Sequence, residues 1–191
     1  MRLGILGGTF NPIHNGHLAM AEKALKEFNL DEVIFVPTNI PPHKELSDLI
    51  DKEDRFNMVK LAIEGKPKFS VSRIELDRPG VSYAIDTFKD LSKTRDKLYY
   101  IIGMDSLNEM MEWKDPLGLF NYCELIVAER PGETANSPLL RSHGGKIHIM
   151  GLDQNISASQ IRANINLIDK FVPKKTAAYI KSKELYKNGN T

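Results

Sequence analysis

Short apolar runs punctuate the chain at residues 2–6, 32–36, 98–102, 125–128 and 147–150, and apolar positions recur at helical spacing between them. Continuous runs rich in Ile, Leu, Val and Tyr predict strands covered on both faces. Residues 69–76 read as a further extended segment. Leu18, Ala21, Leu25 and Phe28 predict the buried face of a first helix, and Phe56, Val59, Leu61, Ala62 and Ile63 that of a helix over 55–64. Further helices are predicted over 83–91, 157–165 and 174–186, the first of the last two opened by Ser157 and Gln160 at capping-box spacing.

Strands alternating with helices predict an α/β fold, a Rossmann-like, doubly wound parallel sheet. Ligands of such sheets bind beyond the carboxyl ends of the strands. The chain reads as a single domain over 1–191, with 155–191 as a small C-terminal helical part. Residues 38–51 and 130–145 read as its longest loops, and both are candidate mobile elements.

Composition narrows the classes of partner. The 26 Lys and Arg nearly cancel 25 Asp and Glu, so no bulk attraction to nucleic acid or membrane is expected. The single cysteine, Cys123, excludes an intrachain disulfide and a Cys-based zinc site, and it lies beside LIVA as a small core residue would. Neither a signal peptide nor a membrane-length apolar run is present, so a cytoplasmic protein is expected.

The chemistry concentrates where the first strand ends, in GGTFNPIHNGHL, residues 7–18. Gly7 and Gly8 let backbone approach a ligand closely, and the start of a helix at 15–17 presents N–H groups and a positive dipole end. That is an anion site, most naturally for phosphate. Neither the dinucleotide G-x-G-x-x-G nor the Walker G-x-x-x-x-G-K-[ST] spacing occurs. His14 and His17 add imidazole donors suited to charge building on a phosphorus under attack.

GGTFNPIHNGHL resembles the signature of the nucleotidylyltransferase superfamily, with His14-Asn15-Gly16-His17 as its H-x-G-H element. ISASQIR, residues 156–162, resembles the second nucleotide motif of that superfamily. Three middle segments resemble the bacterial nicotinate-nucleotide adenylyltransferases: PTNIPPHK (37–44), GVSYAIDT (80–87) and IIGMDSLNEMMEW (101–113). FVPKKTAAYIKSKELY at 171–186 extends the likeness almost to the end of the chain. Two positions depart from the pattern. Lys114 stands where relatives often carry an aromatic residue, and Ala158-Ser159 replaces a commoner Ser-Thr pair.

The resemblance implies transfer of the adenylyl group of ATP to nicotinate mononucleotide, giving deamido-NAD and pyrophosphate, with Mg²⁺ accompanying ATP. It implies ATP contacts from Gly7, Gly8, Thr9, Phe10, His17, Gly103, Asp105, Ile156, Ser159 and Arg162. His14, His17, Lys44 and Arg162 would act on the reacting phosphates, and His43, Lys44, Ser82, Tyr83, Thr87 and Trp113 on the acceptor. Thr87 with nearby amides would meet the pyridine carboxylate, Ser82 would cap the helix after it, and Trp113 would stack on the ring. The partners expected are these small molecules, with neither nucleic acid nor membrane, and room is left for a homo-oligomer. Two other readings share the end motifs: a sister adenylyltransferase for nicotinamide mononucleotide or pantetheine phosphate, and a non-catalytic nucleotide-binding protein on the same fold. A fragment of a class I aminoacyl-tRNA synthetase is disfavoured, because no K-M-S-K-S-like loop occurs.

Overall fold

The computed structural model describes residues 1–42, 49–94, 96–154 and 156–186. Six strands form one sheet: β1 (Arg2–Gly8), β2 (Glu32–Pro37), β3 (Phe69–Val71), β4 (Lys97–Gly103), β5 (Cys123–Glu129) and β6 (Ile147–Gly151). Their order is β3-β2-β1-β4-β5-β6, and every neighbouring pair is parallel. The strands are apolar through their length because both faces are covered. Leu6, Ile101 and Ile126 join one core while their neighbours Ile5, Ile102 and Leu125 join the other, following the two-residue period of a strand.

The helices divide between the faces. On one lie α1 (Asn15–Glu27), α2 (Lys52–Ala62), α6 (Ala158–Ala163), α7 (Ile168–Phe171) and α8 (Lys174–Ser182). The other carries α3 (Ala84–Leu91), α4 (Met104–Glu109) and α5 (Leu139–His143). The chain crosses between faces where strand order reverses, between β1 and β4. That switch point leaves a crevice at the carboxyl ends of these two strands, with Leu6 opposite Ile101 at its floor.

Several local expectations are corrected. The extended run over 69–76 ends as a strand at Val71, because residues 74–76 turn back. α2 starts earlier than residue 55, where Asp51 accepts from the Glu53 N–H at 2.8 Å and caps it. Its buried face carries Arg55, Met58, Val59 and Ala62, so a charged residue occupies a core position. The stretch 130–145 is not loop throughout, since α5 lies within it. α6 ends at Ala163, two residues before the expected boundary, and α8 ends at Ser182.

Candidate active site

A cavity of about 670 Å³ fills the crevice, within the range of small-molecule sites. The turn after β1 forms its floor. Phe10 takes φ 50°, a left-handed conformation that reverses the chain within the turn. Its ring is buried edge-on to His17, with centroids 5.1 Å apart. Bare backbone is needed at two places here. A Cβ on Gly7 would meet the Tyr100 hydroxyl at 3.2 Å, and one on Gly16 would meet the His14 ring at 3.0 Å.

The two histidines stand at the start of α1. His14 is the N-cap residue, and its N–H donates to Nδ1 of His17 at 3.2 Å. The rings lie 3.8 Å apart, tilted by 31°. His14 is only 2% exposed, and its Nδ1 has no hydrogen-bond partner in the protein. Burial, helped by the charge of Arg130, lowers its pKa to about 4, so the ring is neutral near pH 7. His14 lines the cavity, while Nδ1 itself is buried against Gly16 on the helix side of the ring.

α6 forms the facing wall. Ser157 accepts from the Gln160 N–H while Gln160 Oε1 accepts from the Ser157 N–H at 2.8 Å, so the capping box read from the sequence is present. The cap occupies the Ser157 hydroxyl. Ser159 and Arg162 line the cavity beside it. Arg162 Nη1 also donates to the Asn11 carbonyl at 2.8 Å, which ties α6 to the turn after β1. Ile156, expected at ATP, does not line the cavity. It is buried behind Gly16, where apolar packing holds it.

The far end of the cavity is aromatic. Trp113 and Tyr83 line it with Tyr100, whose ring centroid lies 6.1 Å from that of Trp113. Lys114 also lines it, with Nζ 2.9 Å from Asp86 Oδ2 and 4.5 Å from the centre of the Tyr83 ring. Gly103 and Asp105 line the middle, with Asp105 Oδ1 accepting from the Ser106 N–H.

Two acceptor-side expectations change. Ser82 is not the helix cap: Tyr83 occupies the N-cap position of α3, and Ser82 Oγ accepts from the Asn39 N–H at 3.1 Å. Ser82 does line the cavity. Thr87 does not. The residue is 2% exposed, and its hydroxyl donates to Glu75 at 2.8 Å and accepts from Arg78 at 3.0 Å. His43 and Lys44 lie outside the described residues.

Sequence reasoning missed four residues. Glu75 lines the cavity with its carboxyl pKa raised by burial, against hydrogen bonds from Thr87, Ser82 and Thr38. Arg130 and Tyr100 line it as well, and Arg55 lies behind its floor. Only Arg55 left a signal, a charge within an otherwise apolar helix face.

A model of the cytidylyltransferase-like family matches residues 5–164. A protein of Synechococcus sp. (strain JA-3-3Ab) named "Probable nicotinate-nucleotide adenylyltransferase" is 41% identical over 195 residues, spanning 97% of this chain and 94% of its own. One of the same name from Thermoanaerobacter sp. (strain X514) is 39% identical over 200 residues, spanning 98% and 95%. Among solved structures, Plasmodium falciparum nicotinic acid mononucleotide adenylyltransferase complexed with NaAD superposes with a TM-score of 0.82 at 21% identity over 97% of each chain, a likeness of fold.

Proposed function

The chain belongs to the cytidylyltransferase-like family and, within it, to the nicotinate-nucleotide adenylyltransferases, and from that premise we propose how its cavity carries out the transfer. The reaction moves the adenylyl group of ATP to nicotinate mononucleotide, in NAD biosynthesis. A phosphate oxygen of the mononucleotide attacks the α-phosphorus, the bond to pyrophosphate breaks, and deamido-NAD and pyrophosphate leave. The attacking oxygen is already anionic near neutral pH, so the protein contributes position and electrostatics rather than a strong base.

The observation that carries this reading is one cavity with two chemically distinct ends. At one end the His14–His17 turn faces Ser159 and Arg162, a donor-rich seat for a triphosphate. At the other, Trp113, Tyr83 and Tyr100 offer flat apolar surface for a pyridine ring beside the polar Ser82. Asp105 supplies an acceptor between them for ribose hydroxyls. In this reading Gly7, Gly8, Thr9 and Phe10 seat ATP through backbone, and His43 and Lys44 meet the reacting phosphates. The acid of the pyridine is met by backbone at the start of α3, in place of the Thr87 hydroxyl.

In this reading Mg²⁺ enters as part of the substrate, bound to the phosphates of ATP. No helix of the described residues is long and apolar enough to cross a membrane.

Pyrophosphate release from ATP, measured with nicotinate mononucleotide, nicotinamide mononucleotide and pantetheine phosphate, tests the assignment. The acid mononucleotide should give the highest kcat/KM. A preference for either other acceptor would transfer the protein to a sister activity, and ATP binding without release would make it a sensor.

A further inference from the structure

Arg55 heads the fully buried side chains by size, at 1% exposure, on the core face of α2. Its guanidinium donates to four backbone carbonyls: Thr9 at 2.8 Å, Thr38 at 2.6 Å, Asn39 at 3.1 Å and Ile50 at 3.3 Å. None of these partners is a carboxylate, and burial accordingly lowers its pKa. Placing a charge inside a protein is costly even after relaxation, and an apolar residue would fill a helix face at lower cost. What the arginine achieves must be looked for in the peptides it holds.

Two of those peptides meet on one nitrogen, Nη1, which holds the Thr9 and Thr38 carbonyls together, and each leads on to a residue that lines the cavity, Phe10 in one case and Ser82 in the other. Because a trans peptide is planar, fixing a carbonyl on Arg55 turns the N–H of the next residue the other way. The Thr9 carbonyl belongs to the peptide whose N–H is that of Phe10, in the turn expected to seat ATP. The Thr38 carbonyl belongs to the peptide whose N–H is that of Asn39, and this N–H donates to Ser82 Oγ on the acceptor side. Thr38 N–H closes the triangle by donating to the Gly8 carbonyl at 2.9 Å. One guanidinium thus extends the β1–β2 pairing by one step, tying the donor turn to the segment that supports the acceptor wall without itself lining the cavity. Its flat fork serves four carbonyls from three nitrogens at once, whereas an ammonium has three donors on a flexible stem.

We propose that Arg55 is a positioning residue for adenylyl transfer, holding the two reactants' seats at the separation that in-line attack requires. The inference rests on the assigned reaction. It predicts a loss in kcat rather than in ground-state binding, because a reaction driven by alignment is sensitive to small displacements.

The test compares wild type with Arg55→Lys and Arg55→Gln, following pyrophosphate release together with thermal melting. The folded variants should lose about 100-fold in kcat while KM for ATP and for nicotinate mononucleotide each stay within about threefold. Arg55→Lys should retain more turnover than Arg55→Gln, since it keeps the charge. A folded variant with near wild-type kcat, or one whose only defect is in KM, overturns the proposal. So does failure of both variants to fold in the cold, which would make Arg55 a folding residue. A wild-type protein inactive with nicotinate mononucleotide would instead sink the acceptor assignment, and Arg55 would then be read with whichever phosphate acceptor is active.

Discussion

The His14 N–H donates to Nδ1 of His17 across 3.2 Å, so the neutral His17 ring carries its proton on Nε2. A bond that caps the helix therefore also selects the tautomer able to donate to a phosphate oxygen. His17→Ala should lower kcat by about 10²- to 10³-fold, the range seen when one donor to developing charge is removed. Loss of the cap should cost about 1 kcal/mol of stability. His17→Asn keeps an amide oxygen able to accept from His14, so it should regain stability without turnover. Pyrophosphate release and thermal melting separate the two roles, and full activity of His17→Ala would remove His17 from the chemistry.

His14 gives the stability a pH dependence of known sign. Its pKa is about 4 in the folded protein against 6.5 unfolded, so between these values the unfolded chain binds the extra proton. Stability contributed by the neutral buried ring is full above pH 6.5 and is lost as pH falls towards 4, by about 3 kcal/mol at most. Denaturant melts across that window should show the decline in wild type and a flatter profile in His14→Gln. Equal slopes would place the titration elsewhere.

Trp113 should act on the acceptor. Trp113→Ala is expected to raise KM for nicotinate mononucleotide about 10-fold, with KM for ATP little changed, because stacking on a base is worth about 1–3 kcal/mol. Trp113→Phe should recover most of it. An unchanged acceptor KM in the alanine variant would end the stacking role.

Tyr186 reaches back to the turn after β1, its hydroxyl donating to Asn11 Oδ1 at 2.8 Å across 175 residues of sequence. Tyr186→Phe removes that bond while keeping the ring, and should cost about 1 kcal/mol of stability. Because Arg162 holds the Asn11 carbonyl, turnover should fall only a few-fold, by about 2- to 5-fold. Kinetics at saturating ATP check this, and a variant as active and stable as wild type would make the contact incidental.

Much of the fold could be read from local pattern. Apolar strands and capped helices announce themselves because pleat, helical period and cap chemistry act over a few neighbouring residues. The Ser157–Gln160 box is such a case, as are the strands at 98–102 and 125–128. Boundaries were less legible where tertiary contacts decide them, as with β3, which stops at Val71, and α5 inside an apparent loop. Among site residues, GVSYAIDT gives no sign that Ser82 would turn to Asn39 or that the Thr87 hydroxyl would be taken by Glu75 and Arg78.

By itself the sequence determined the class of sheet, the phosphate turn with its two histidines and the capped helix that faces it. These follow from residues adjacent in the chain, whose backbone demands and hydrogen-bonding groups are visible in a short window. Only the tertiary structure decided that Arg55 would hold Thr9 and Thr38 together, that Tyr100 would stand against Gly7, and that Arg130 would face His14. Those relationships join segments far apart in sequence, brought together by the order of the strands. A buried charge is tolerated at Arg55 because the fold delivers four carbonyls to it, and no local pattern records where those carbonyls come from.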